Sequence, residues 1–226
     1  MIDARVKGTS AWLRARSDDV WVTLVDHPFV AELAAGTLPL AKFRFYVEQD
    51  IFFLRDYARA IGLAVGRAAD EDELRELTRQ LAIVVEEELE KERVLLDRVE
   101  EMLGADRWQA PSPAPMTRAY STFLLATGAR GDALDVMTAL LPCAWSYADI
   151  GSAHLDSTVE HPVYADWMRL FGGADYLDYV DRRRAAYDRF ATRADARRRE
   201  RLHDLFRTAA RLEAAFWNMA YGEEDG

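Results

Sequence analysis

The sequence predicts an all-α protein, a single-domain helical bundle spanning residues 1–226. Three observations predict it. Between successive Gly and Pro marks, apolar residues recur at spacings of three and four. Leu, Ala, Arg and Glu dominate, all good helix formers. β-branched residues are sparse, and no segment alternates as a half-buried strand does.

The first helix is predicted at about 10–25. His27-Pro28-Phe29-Val30 and His161-Pro162-Val163-Tyr164 resemble each other. Both read as helix starts with proline in the first turn, where its missing N–H is no loss. Further helices are predicted at about 40–68 and 71–103, the second ending at Gly104. The run Pro111-Ser112-Pro113-Ala114-Pro115 reads as a loop rather than a domain linker, because the amphipathic helices beside it each need a partner for their apolar face. The rest of the chain reads as helices at about 114–127, 132–157, 162–170, 174–190 and 195–221, divided by Gly128 with Gly131, Pro162, and Gly172-Gly173.

A chain of 226 residues is long enough for one sizeable core. Half of it is hydrophobic and 11% aromatic, which is the composition of a packed globular protein. The net charge of −10 argues against nucleic-acid affinity, which needs a basic face. A lone cysteine forms no internal disulfide. Met1-Ile2-Asp3-Ala4-Arg5 lacks the apolar core of a signal peptide, and no apolar run approaches the roughly 20 residues of a membrane span. The expected setting is the cytoplasm.

That lone cysteine, Cys143, follows Pro142 inside a predicted helix. Proline removes a backbone donor and bends or breaks a helix. The residues beyond a break meet free N–H groups and a positive dipole end, which favour a thiolate. The alternative is a small buried hydrophobe in a kinked core helix. Tyr147, four residues on, shares the face of Cys143. His154 lies eleven residues along the same helix, about 16 Å away at 1.5 Å per residue, so a nucleophilic Cys143 needs a base from another helix.

Two carboxylates sit among aromatic residues. Tyr46, Asp50, Phe53 and Tyr57 share one helical face, and a buried Asp50 needs a partner, either a neighbouring side chain or a ligand that donates hydrogen bonds. Glu213 lies beside Phe216 and Trp217, where burial would raise its pKa toward the range useful for general acid–base work; the alternative is an exposed Glu on a terminal helix. Glu86-Glu87-Glu88, with Glu90 and Glu92, reads as a solvated face supported by Lys91 and Arg93. Histidine is absent between Ala31 and Ala153, so that helix lacks the Glu-x-x-His pair of a di-iron bundle, and no metal ligand is assigned. Phosphate loops after a strand, paired C-x-x-C and G-x-S-x-G are all missing.

Three segments together resemble the TenA family of thiaminase II proteins: HPFVAELAAGTLPLAKFRFYVEQDIFFL from His27 to Leu54, LLPCAWSYADIG from Leu140 to Gly151, and EAAFWNMAY from Glu213 to Tyr221. The likeness runs over nearly the whole chain, and the cysteine places it with the cysteine-containing branch. The resemblance implies a heme-oxygenase-like helical fold without heme, a homotetramer and no cofactor. It implies hydrolysis of aminopyrimidine breakdown products of thiamin to hydroxymethylpyrimidine with release of ammonia, and cleavage of thiamin itself in many members. Carried over, Cys143 is the nucleophile, Glu213 the acid–base residue and Asp50 the holder of the pyrimidine amino group and ring nitrogen. Tyr120 and Tyr147 line the pocket near the thiol, and Phe216 belongs to the apolar surround. Phe53 and Phe171 stand where tyrosine is expected, which keeps a stacking surface and loses a hydroxyl. This leaves room for a changed heterocycle preference or for a pyrimidine-binding regulator with little turnover. A di-iron oxidase of the same fold is the remaining rival.

Overall fold

The computed structural model describes residues 8–104, 112–155 and 159–222, and among these every regular element is a helix. The stretch predicted as one helix at 10–25 is two, α1 (Thr9–Ala15) and α2 (Asp18–Val25). Fully buried Ser17 lies between them, with its Oγ 3.3 Å from His203 Nε2. The turn there seats Trp21 and Leu24 in the core.

Next comes α3 (Pro28–Ala35), capped by His27 with proline in the first turn. His27 Nδ1 accepts from the Phe29 N–H at 3.0 Å, which satisfies one of the free donors of the helix start. His161 precedes α9 (Pro162–Gly172) in the same way, but its ring stacks on Tyr164 instead of capping. Gly36 ends α3 in the left-handed region, φ 74°, where a Cβ is strained.

The long helix α4 (Leu40–Val65) is buried along most of its length. The predicted helix 71–103 is interrupted. It consists of α5 (Glu71–Ile83), a π-helical turn at Val84–Glu88, and α6 (Leu89–Leu103). A π turn adds a residue to one turn and rotates the helix beyond it. Ser112 to Ala114 form the described part of the proline-rich loop. Then come α7 (Pro115–Arg130), α8 (Ala133–Ala153), α9, α10 (Ala174–Ala191) and α11 (Ala196–Tyr221). The predicted end of α8 at 157 lies outside the described residues. Asp132 opens α8 with a reciprocal capping box to Asp135.

Helix α4 packs against α5, α6, α7 and α8, while α8 also meets α9, α10 and α11. An aromatic group holds the centre. Trp217 lies 4.9 Å from Phe29, 5.2 Å from Tyr46 and 5.5 Å from Tyr147, ring centre to ring centre. The α8–α9 crossing depends on two glycines. A Cβ on Gly151 would fall 2.3 Å from Gly172 N, and one on Gly172 would fall 2.3 Å from Gly151 O. That approach brings Phe171 of α9 to 4.8 Å from Tyr147 of α8. No helix of the described residues is long and apolar enough to cross a membrane.

Candidate active site

A cavity of about 460 Å³ opens between α4, α6, α8, α9 and α10. Asp50, Cys143, Tyr147 and Phe171 line it directly. Cys143 is half-buried, and the surface it keeps is on this cavity. The helix carrying it is continuous through Pro142, contrary to the predicted break. Side chains supplement the backbone there: Tyr57 Oη donates to the Leu140 carbonyl at 3.4 Å, and Tyr176 Oη to that of Ala144 at 3.3 Å.

Without a break there is no helix N-terminus to stabilise a thiolate. Burial, followed by the negative charges of Glu213, Asp50 and Glu88, pushes the Cys143 thiol well above its ordinary range. The resting group is therefore the thiol, which hydrogen-bonds to Glu213 of α11.

Glu213 is 3% exposed, which removes the reading of an exposed terminal glutamate. Tyr120 Oη, from α7, donates to Glu213 Oε1 at 2.7 Å. Burial raises Glu213 to about 7, with the hydrogen bonds from Tyr120 and Cys143 pulling the other way. The carboxyl thus titrates near neutrality while holding a thiol proton within reach. Phe53 of α4 and Phe216 of α11 form the wall behind it, with Phe53 4.6 Å from Tyr120 and 5.9 Å from Phe216 between ring centres. On the Tyr147 side, Tyr46 Oη lies 3.1 Å from Tyr147 Oη, and Trp167 Nε1–H reaches Tyr46 Oη at 3.4 Å.

Asp50 is buried, and its pKa is raised by desolvation first and then by Glu92, Glu213 and Glu88. Its expected partner is accordingly not a protein cation; the groups that surround it are acidic.

The glutamate run 86–92 departs from its predicted solvated face. Glu86, Glu87 and Glu90 are exposed, but Glu88 is half-buried and Glu92 is 3% exposed. Both line the cavity. Glu88 closes the π turn and Glu92 follows one α turn later, so the rotated register carries this pair inward.

Sequence reasoning also missed Arg183, 4% exposed on α10. Its Nη1 donates to Tyr179 Oη at 3.1 Å and its Nη2 to Tyr57 Oη at 2.7 Å. Tyr179 in turn hydrogen-bonds Glu88. The run Arg182-Arg183-Arg184 gives no sign of which arginine is buried; the helical step from Tyr179 to Arg183 is the only hint. Among the described residues no three His, Cys, Asp or Glu side chains are arranged to hold a metal ion.

Chemically, the cavity offers a thiol bonded to a near-neutral carboxyl, a buried carboxyl that can both donate and accept, and aromatic walls for a flat ring. Its volume suits a small heterocycle.

Comparisons with known proteins show the family and the fold. The model of the TENA/THI-4/PQQC family matches residues 14–223. The chain is 31% identical to the aminopyrimidine aminohydrolase of Halalkalibacterium halodurans over 95% of its own length and 96% of that protein's. It is 28% identical to the aminopyrimidine aminohydrolase of Helicobacter pylori, over 94% and 98% of the two lengths. The solved structure of a TenA homologue from P. horikoshii OT3 superposes with a TM-score of 0.84 at 33% identity, covering 96% of this chain and all of that one. The all-helical TenA-like, heme-oxygenase-like fold expected from the resemblance is the fold of this chain.

Proposed function

The chain belongs to the TENA/THI-4/PQQC family, and from that premise we infer that it is an aminopyrimidine aminohydrolase of thiamin salvage with the Cys143 thiol as nucleophile. The observation that carries the mechanism is the hydrogen-bonded series Tyr120–Glu213–Cys143 beside the cavity that Asp50 also lines.

Asp50 accepts a hydrogen bond from the amino group of the pyrimidine and, with its carboxyl proton favoured by burial, donates one to the adjacent ring nitrogen. Tyr147, Phe171, Phe53 and Phe216 supply the aromatic surround. As Cys143 Sγ adds to a ring carbon, its proton passes to the Glu213 carboxylate, so the nucleophile is activated in the step rather than resting as thiolate. Addition interrupts the aromatic system. The exocyclic C–N bond then breaks, and the protonated aminomethyl nitrogen leaves as ammonia while Glu213 keeps the thiol proton. Water adds to the exocyclic methylene, giving its proton to the ammonia, and Sγ is expelled and takes its proton back from Glu213, restoring the ring and the thiol. The sum is an aminomethylpyrimidine plus water giving hydroxymethylpyrimidine plus ammonia. Covalent addition divides one difficult displacement into easier steps. Cleavage of thiamin by the same addition belongs to this proposal.

Phenylalanine at positions 53 and 171 supplies faces without hydroxyls. Each absent hydrogen bond to the substrate is worth about 0.5–1.5 kcal/mol, enough to reorder preferences among related pyrimidines. We assign the activity to one domain spanning residues 1–226, and to a cytoplasmic homotetramer by likeness to the family.

The test is a chromatographic assay of purified protein with 4-amino-5-aminomethyl-2-methylpyrimidine and, separately, thiamin, beside Cys143→Ser. Hydroxymethylpyrimidine formed only with the intact cysteine is the expected result. Product at the same rate from Cys143→Ser sinks the mechanism, and tight binding without product favours a regulatory role.

A further inference from the structure

Five carboxyl groups line this cavity, Asp50, Glu88 and Glu92 with the exposed Glu87 and Asp175, and Glu213 bonds the thiol that faces it; the mechanism uses Asp50 and Glu213. Asp50 accounts for the amino donor and the ring-nitrogen acceptor on the aminopyrimidine edge. Glu213 is engaged by Tyr120 and Cys143. Glu88 is held by Tyr179, itself steadied by Arg183. Glu92 is different. It lines the cavity at 3% exposure, and its Oε2 has no hydrogen-bond partner among the described residues.

Nor is a protein cation set against it. The cations that line the cavity are paired elsewhere, Lys91 with Glu87 at 3.1 Å, Arg169 with Asp166 and Arg182 with Asp178. Arg183 is occupied by the two tyrosine hydroxyls. A buried carboxyl oxygen left without a donor costs the full desolvation of that group. Such a cost is tolerated where a ligand completes the site.

We propose that Glu92, backed by Glu88, forms a subsite for a primary ammonium group on the substrate. It thereby favours aminopyrimidines whose exocyclic substituent carries a positive charge with N–H donors. The subsite rests on the aminopyrimidine reading and adds to it a determinant on α6 that lines the same cavity as the thiol. Burial, then the charge of Glu88, raises Glu92 to about 8, and an aminomethyl substituent, cationic near neutral pH, both supplies the donor that the unpartnered oxygen lacks and draws Glu92 into its ionised form. A hydroxymethyl or formylaminomethyl substituent is neutral and supplies only an ordinary hydrogen bond. Because Glu92 receives the leaving group before it leaves, its influence falls on binding and not on the bond-breaking step.

The experiment is titration calorimetry on the full chain carrying Cys143→Ser, which halts turnover. Aminomethylpyrimidine and hydroxymethylpyrimidine are titrated separately, with and without Glu92→Gln. Charge-assisted hydrogen bonds are roughly twice as strong as neutral ones, so the parent should bind the aminomethyl compound about tenfold more tightly. Glu92→Gln should erase that preference and leave the affinity for the hydroxymethyl compound within about twofold. Equal weakening of both ligands, or a preference that survives Glu92→Gln, overturns the subsite. Should Glu92→Gln fail to fold, the parent decides alone, since equal affinity for the two compounds is a contrary result. A parent that binds neither pyrimidine overturns the aminopyrimidine reading, and the subsite with it.

Discussion

The two sides of the cavity are built on opposite plans. On the side of α7, α8 and α11, the polar groups are tied to one another: Tyr120 donates to Glu213, and Glu213 holds the Cys143 thiol. On the side of the π turn and α6, Glu92 ends in an oxygen that nothing among the described residues satisfies. A group that must move a proton at a defined moment needs its geometry fixed beforehand. A group that recognises a charge gains most when only the ligand can satisfy it. The first side is organised for chemistry, the second for recognition.

The sharpest way to break this contrast is to remove one carboxylate from each side. Glu213→Gln deletes the proton acceptor and should lower kcat by about 10²–10⁴, the range for loss of a positioned acid–base group. Glu92→Gln should instead raise KM for the aminomethyl substrate, with kcat little changed. Steady-state kinetics on both variants decide this, and an equal collapse of kcat in both would mean that the two sides do the same work.

A smaller effect probes what keeps the first side in place. Gly151→Ala inserts a methyl where the backbone of Gly172 already stands. Helices α8 and α9 must then separate, carrying Phe171 away from Tyr147. The expected loss is about 1–3 kcal/mol of stability, measured by denaturant unfolding. A neutral result would mean that the glycine contact does not set the position of Phe171.

The two sides also differed in how far the sequence revealed them. Asp50, Glu213 and Cys143 were legible, because a carboxylate on an aromatic face and a thiol after proline are local patterns. The helix start at Pro28 and the one at Pro162 were legible for the same reason, since proline suits the first turn. The environment of Cys143 was not. Its thiol is governed by Glu213 on a helix 70 positions away in sequence and by the continuity of α8 through Pro142. Glu88 and Glu92 read as solvated in the sequence because they belong to a dense acidic run beside Lys91 and Arg93. The π turn at Val84–Glu88 shifts the helical period, and a pattern of residue types does not announce a π turn. The division between α1 and α2 escaped notice similarly, since it depends on Ser17 meeting His203 from α11.

On the proposed mechanism the thiol is activated in the step by a carboxylate poised near neutrality. The pH dependence of kcat/KM for the aminomethyl substrate tests it most directly. Glu213 must be ionised to receive the thiol proton, and its pKa is raised to about 7. Activity should therefore rise with pH through about 7 and fall away below it, a limb that Tyr120→Phe moves upward by removing a hydrogen bond to the carboxylate. A profile flat from pH 5 to 8, or an acid limb near 4.5 as for an ordinary glutamate, would contradict the account.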